Sequence, residues 1–80
     1  MRVIGEIPHP SCKITLFNWN NKYIIKFERG QLEQTYKVNE LDLTGEEDIT
    51  EMLNEQFLEK VIKRFDDMDN DWDALVGDDF

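Results

Sequence analysis

The sequence predicts an α+β fold in which a small antiparallel β-meander of about four strands packs on one or two C-terminal helices. The first observation is that residues 2–38 hold four short segments rich in β-branched and aromatic residues, separated by turn-forming residues. The second is that residues 46–68 carry apolar residues at helical spacing. The predicted strands cover residues 2–7, 13–19, 22–28 and 31–38.

The first predicted hairpin turns at Asn20 and Asn21. Asparagine tolerates a positive φ better than most residues, so a two-residue primed turn fits between the two strands. Such a turn places Trp19 opposite Lys22 and so fixes the register of the two strands.

The second predicted hairpin turns at Arg29-Gly30, with the glycine in the left-handed conformation. This turn places Glu28 opposite Gln31 and, farther along the strands, Tyr23 opposite Tyr36. The two turns together sort the strand side chains into two faces. The predicted core face holds Ile14, Leu16, Tyr23, Ile25, Phe27, Leu32, Tyr36 and Val38.

The other face of the predicted sheet is both aromatic and basic. Its members are Phe17, Trp19 and Ile24, with Lys22, Lys26 and Lys37 around them. Three large apolar side chains on an uncovered face would form an exposed patch, so this face is predicted to bind another surface. A larger protein, a second copy in a homodimer, or the chain's own tail would fit. Single-stranded nucleic acid is an alternative, because bases stack on rings and lysines neutralise phosphates.

The helical region is predicted to begin at Thr44, because Glu47 three residues later completes a capping-box pattern. Two apolar stripes follow, and at about 100° per residue they point in different directions. The stripes consist of Ile49, Met52 and Leu53, and of Phe57, Leu58, Val61, Ile62, Phe65 and Met68. The change of direction favours a break near Asn54, although one continuous helix that buries two faces is the alternative.

The chain is predicted to form one domain, residues 1–68, followed by an acidic-aromatic C-terminal tail, residues 69–80. Its net charge of −9 is unevenly distributed: residues 1–39 carry six basic and three acidic residues, whereas residues 66–80 carry seven aspartates and no basic residue. This charge disfavours binding of the whole chain to nucleic acid or to an anionic membrane.

The tail alternates aspartates with bulky apolar residues, which is poor material for a core but suits a short linear binding motif. Its apolar members are Trp72, Leu75, Val76 and Phe80. The last three residues, Asp78, Asp79 and Phe80, resemble the C-terminal tips of bacterial and phage single-stranded-DNA-binding proteins, which recruit other proteins of DNA metabolism. The resemblance implies that Phe80 inserts its ring into a partner while its carboxylate meets an Arg or Lys. A solubility tail is the alternative.

No catalytic site, cofactor or metal is predicted. His9, the only histidine, and Cys12 lie three residues apart, but no neighbouring residue would orient them for nucleophilic catalysis. The sequence contains no glycine-rich phosphate loop. Aspartates at positions 67, 69, 71, 73 and 78 copy the ligand spacing of an EF-hand calcium loop, but Trp72 occupies the position that needs glycine.

The predicted function is that of a non-enzymatic interaction protein, which docks on a larger protein assembly through its tail and its aromatic sheet face. The alternatives are a single-stranded nucleic-acid-binding protein with an autoinhibitory acidic tail, and an acidic DNA mimic that inhibits another protein. No segment approaches the roughly 20 apolar residues of a membrane span, and a single cysteine agrees with a reducing compartment. A cytoplasmic location is therefore predicted, and a phage or bacterial origin fits so small a chain.

Overall fold

The computed structural model describes residues 1–76 of the 80-residue chain, and it confirms the predicted α+β fold. Four antiparallel strands form one sheet in the order β1-β2-β3-β4, so each strand pairs with its neighbour in sequence. The strands are β1 (Arg2–Ile7), β2 (Lys13–Trp19), β3 (Lys22–Arg29) and β4 (Leu32–Asn39). A short 3-10 helix at Glu40–Asp42 follows, and then the helices α1 (Glu46–Met52) and α2 (Glu55–Val76).

The hairpin between β2 and β3 has the predicted register, with Trp19 opposite Lys22. Asn20 and Asn21 both have positive φ, at 54° and 62°, as a two-residue primed turn requires. The two asparagines therefore determine which side chains of β2 and β3 share a face.

The hairpin between β3 and β4 turns one residue later than predicted. Gly30, with φ 61°, is the first of the two turn residues, so Arg29 lies opposite Leu32. The predicted pairing of Tyr23 with Tyr36 is wrong, because the register is displaced by two residues. An even displacement leaves every side chain on its predicted face, since side chains alternate with a period of two.

Strand β1 contains a β-bulge between Val3 and Gly5. The extra residue, Ile4, changes which face the following residues occupy. As a result, Ile4 and Ile7 both pack against the core, although they are three residues apart. Val3 lies opposite Phe17 on the other face of the sheet and stays exposed.

Helix α1 begins one residue later than the predicted capping box. Its N-cap residue is Gly45, and Asp48 accepts hydrogen bonds from the backbone N–H and the hydroxyl of Thr44, at 2.7 and 2.8 Å. These hydrogen bonds hold the pKa of the Asp48 carboxyl below its ordinary value. Glu46, Glu47 and Asp48 all lie in the first turn, where the positive end of the helix dipole favours carboxylates.

The two helices are separate, as the change of stripe direction predicts. Helix α1 ends at Met52 and α2 begins at Glu55. The side chain of Asn54 accepts a hydrogen bond of 2.9 Å from the backbone N–H of Phe57, so Asn54 caps the start of α2. The break allows the apolar stripes of both helices to face the same side of the sheet.

The core lies between one face of the sheet and the two helices. Its fully buried large side chains are Ile14 and Phe27 from the sheet, Ile49 from α1, and Val61 and Phe65 from α2. Aromatic rings extend this core toward β4, where Tyr36 meets Phe27 edge-on with ring centres 5.8 Å apart. The opposite face of the sheet carries no helix within residues 1–76.

Candidate interaction surfaces

One apolar stripe runs along most of α2. Successive members are alternately three and four residues apart, which places them on one face of the helix. In chain order they are Leu58, Val61, Phe65, Met68, Trp72 and Leu75. Phe65 is fully buried, whereas Trp72 is 48% exposed and Leu75 is 71% exposed. The stripe that builds the core therefore continues beyond the part that the domain covers.

The exposure of the stripe agrees with the lengths of the elements. The 22 residues of α2 give it a length of about 33 Å, whereas an eight-residue strand spans about 26 Å. Arg29, the last residue of β3, pairs with Asp66 at 3.0 Å and with Asp69 at 2.5 Å. Residues 70–76, called here the α2 end, follow the last of these ion pairs.

Arg29 holds α2 at the boundary of the sheet. Its guanidinium carbon lies 5.2 Å from the centre of the Phe65 ring, while its nitrogens reach the two aspartates. The planar guanidinium can stack on a ring and bind carboxylates with the same group. The hydrogen bond to Asp69 is the largest of the causes that raise the pKa of Arg29, and Asp66 adds to it.

The α2 end is poorly suited to be a helix by itself. Asp71 and Asp73 lie near the negative end of the helix dipole, which disfavours carboxylates, and the last turn contains no basic residue. Aspartate, asparagine and tryptophan also have weak helix propensity. Local preference and observed structure thus disagree at the α2 end, and such disagreements are expected at functional sites.

The predicted tail residues fall in two groups. The α2 end carries Trp72, Leu75 and Val76, of which the first two are exposed and the third is half-buried. The other three, Asp78, Asp79 and Phe80, lie outside the described residues. Helix α2 passes through position 69 without interruption, so residues 69–76 are helical. The division of the chain into a domain and a tail at that position stays a prediction.

The face of the sheet away from the helices carries the predicted aromatic residues. We call Val3, Phe17, Trp19 and Ile24 the aromatic patch. Val3 is 60% exposed and Trp19 is 49% exposed, and Phe17 is half-buried. Ile24 is buried, because it lies between Phe17 and Lys37 on the neighbouring strands. The accessible surface of the patch therefore comes from its other three residues.

The lysines around the aromatic patch are in two different situations. Lys26 pairs with Glu28 at 3.9 Å and with Glu33 at 3.4 Å. Lys22 and Lys37 have no carboxylate partner among residues 1–76. The positive charge that a partner could use is therefore concentrated at the end of the face where β2 turns into β3.

His9 and Cys12 lie near each other beside an open cleft of about 550 Å³. The Sγ atom of Cys12 is 3.9 Å from Nδ1 of His9, and the same nitrogen accepts a hydrogen bond from the backbone N–H of Ser11. Burial raises the pKa of the Cys12 thiol, which favours the neutral thiol over the nucleophilic thiolate. The pair gives no support to a nucleophilic role.

The acidic residues do not form a metal site in the part of the chain that the structure describes: no three His, Cys, Asp or Glu side chains are grouped for one. The aspartates with EF-hand spacing lie on α2 as far as Asp73, and a helix turns them to different sides instead of one centre. Neither α1 nor α2, within residues 1–76, combines the length and the apolar character needed to cross a bilayer.

Sequence reasoning named Trp72 and Leu75 as binding residues but did not place them on α2. It treated Trp72 and Leu75 as part of a separate tail, although their spacing from Phe65 continues the stripe of α2. That spacing was the signal that could have joined them. The residue that sequence reasoning missed is Val3, because the bulge that turns Val3 to the aromatic face cannot be read from the spacing of β1.

Comparisons of the chain with protein-family models, with curated proteins and with solved structures found no match.

Proposed function

We propose that this chain is a non-enzymatic interaction protein that docks on a larger protein assembly through the α2 end and the aromatic patch. The observation that carries the proposal is the stripe of α2, which is buried at Phe65 and open at Trp72 and Leu75. A partner that covers the open part would continue the apolar packing that the domain already uses. The docking segment would extend into the C-terminal residues Asp78, Asp79 and Phe80.

The chemistry of the α2 end suits this role. Tryptophan is among the residues that most often dominate the binding energy of an interface, and a leucine one helical turn away widens the contact. The aspartates around Trp72 would meet a basic rim on the partner, which raises the association rate. Binding would also stabilise a helical segment whose own propensity is weak.

We place this function in the cytoplasm. Cys12 is a free thiol buried in the core, which agrees with a reducing compartment. The net charge of −9 keeps the chain from binding anionic surfaces without a specific contact.

The test is affinity capture with matched variants of the full chain, tagged at the N-terminus and incubated with lysate of the native host. The test variant is Trp72→Ala/Leu75→Ala, and the control is Leu41→Ala, which removes an apolar residue that is 98% exposed elsewhere. We expect the full chain and the control to retain the same protein, and the test variant to lose it.

The variants must first be shown to fold, by circular dichroism and thermal unfolding. Because the substituted residues are exposed, their effect on stability should be within about 0.5 kcal/mol. Capture that is as strong with the test variant as with the full chain would rule out the α2 end as the docking segment.

A second candidate function is the binding of single-stranded nucleic acid, and it is favoured by the half-exposed ring of Trp19 opposite Lys22, with Lys37 opposite Ile24 on the same face. Fluorescence anisotropy of a labelled oligonucleotide tests it, with the full chain and with Asp71→Asn/Asp73→Asn. The variant should bind more tightly, with a steep loss as salt rises, and Trp19→Ala should weaken binding most. Absence of binding by the variant at low salt would reject this candidate.

A further inference from the structure

We infer that copies of this chain associate head to tail, with the α2 end of one copy bound to the aromatic patch of the next. The inference rests on the proposed function, because it names a second copy as one partner of the same two surfaces. It follows from the charge, the position and the size of the surfaces.

The two surfaces are complementary in charge and alike in apolar character. The α2 end presents Trp72 and Leu75 among aspartates, with no basic residue in its last turn. The aromatic patch presents Trp19 opposite Lys22, with Lys37 opposite Ile24 on the same face, and neither lysine has a carboxylate partner within the described residues. Contact between them would bring aromatic and aliphatic groups together and pair lysines with aspartates.

Contact between two copies of the same surface is disfavoured. Two α2 ends would place the aspartates of one copy against those of the other, and two aromatic patches would place unpaired lysines together. Juxtaposed like charges suppress such pairings. The complementary pairing is therefore the one that the surfaces favour.

The two surfaces cannot meet within one chain. The α2 end lies on the helix side of the sheet, near Arg29 at one end of β3, whereas Lys22 begins β3 and lies beside Trp19 on the other face. The length of β3, about 23 Å between these residues, separates the two places. A contact between them must join different copies, and it repeats as a ring if the rotation closes and as a filament if it does not.

The contact is small. The seven residues of the α2 end span only about 10 Å of helix, so the interface falls below the roughly 1,200 Å² of a standard stable complex. We therefore expect weak association of the isolated chain, with growth to more than two copies as its concentration rises.

Sedimentation velocity of the purified full chain tests the inference over a range of concentrations, at about 50 mM and about 500 mM salt. We expect the average mass to rise with concentration at low salt and to fall at high salt. Trp72→Ala/Leu75→Ala, the end variant, and Trp19→Ala/Lys37→Glu, the patch variant, should each weaken self-association at least about tenfold. Leu41→Ala should behave as the unaltered chain.

Mixing the two variants distinguishes head-to-tail contact from any symmetric contact. The end variant keeps an intact aromatic patch, and the patch variant keeps an intact α2 end, so one productive contact remains between them. An equimolar mixture should form a pair of one copy each and nothing larger. If the patch variant fails to fold, Lys37→Glu and Asp73→Lys provide the same test, since each alone should weaken association and their mixture should restore it.

Three results would overturn the inference: a chain that stays monomeric at every concentration at low salt, association that only one of the two variants weakens, or mixed variants that do not pair. Each leaves the proposed function standing if capture of another protein still depends on Trp72 and Leu75. Loss of that dependence with self-association intact would instead reject docking on another protein and keep the contact between copies.

Discussion

The first half of α2 and the α2 end belong to one helix and share one apolar stripe, but they differ in what covers it. Phe65 is sealed between the helix and the sheet, whereas Trp72, two turns later, is half-exposed. The two parts also differ in ion pairing, since Arg29 binds Asp66 and Asp69, whereas no ion pair within residues 1–76 involves the α2 end. The difference shows that an apolar stripe identifies a face to be buried without identifying the surface that buries it.

The largest expected effect is the difference in stability loss when two aromatic residues of this stripe are replaced by alanine. Phe65→Ala should destabilise the domain by about 3–5 kcal/mol, because it opens a cavity in the core, whereas Trp72→Ala should cost less than about 0.5 kcal/mol. Urea unfolding of both variants, followed by circular dichroism, measures the two values. Equal losses would mean that the domain itself covers Trp72, and the contrast between the two halves would disappear.

The next effect concerns the boundary between the halves. Arg29→Gln removes the ion pairs with Asp66 and Asp69 and the contact with the ring of Phe65. Amide hydrogen exchange should become faster in residues 66–76 and change little in residues 55–62. Lys63→Gln, an exposed charge on the same helix, serves as the control and should leave both segments unchanged. Faster exchange along the whole of α2 would show that the helix opens as one unit.

A smaller effect tests the weakness of the α2 end. Asp73→Lys places a positive charge near the C-terminus of the helix and should stabilise the α2 end by about 0.3–1 kcal/mol. Hydrogen exchange of residues 70–76 measures this gain. Gln56→Lys also adds positive charge, but near the start of α2. The positive end of the helix dipole lies there, so this substitution should slightly destabilise the helix. If Asp73→Lys loosens the α2 end, the aspartates there have a stabilising role that the dipole does not explain.

The smallest expected effect concerns the acids that begin α1, where the helix dipole favours carboxylates instead of disfavouring them as at the α2 end. Hydrogen bonds from Thr44 lower the pKa of Asp48, so this carboxylate contributes stability above its unfolded pKa and loses the contribution as the pH falls through its lower folded value. The start of α1 should therefore loosen only below about pH 4. An NMR titration of the Asp48 carboxyl measures the shift, and Thr44→Ala should reduce it. A titration at the ordinary value would contradict the hydrogen bonds from Thr44 to Asp48.

Most of the fold could be predicted because local chemistry determined it. Asn20 and Asn21 fixed the register of the first hairpin, since both could adopt positive φ. In the second hairpin Gly30 could be either the first or the second turn residue, and the sequence did not decide between them. The faces were nevertheless correct, because the two choices differ by an even number of residues.

The candidate interaction surfaces could be predicted only in part. The aromatic face followed from strand alternation, which placed Phe17 and Trp19 together. The helical state of residues 69–76 did not follow, because their composition favours a disordered tail. Only tertiary structure shows that Arg29 ties Asp69 to the sheet and that Trp72 continues the line of Phe65.

The single thiol of Cys12 provides a natural chemical probe of how often the protein opens. Because Cys12 is only 9% exposed, an alkylating reagent should react with it slowly until the loop before β2 or the whole domain opens. The mass added in a short pulse would therefore measure how many molecules opened around Cys12 during that interval, without an introduced cysteine. The same measurement made in a mixture with a binding partner would show how far complex formation slows unfolding.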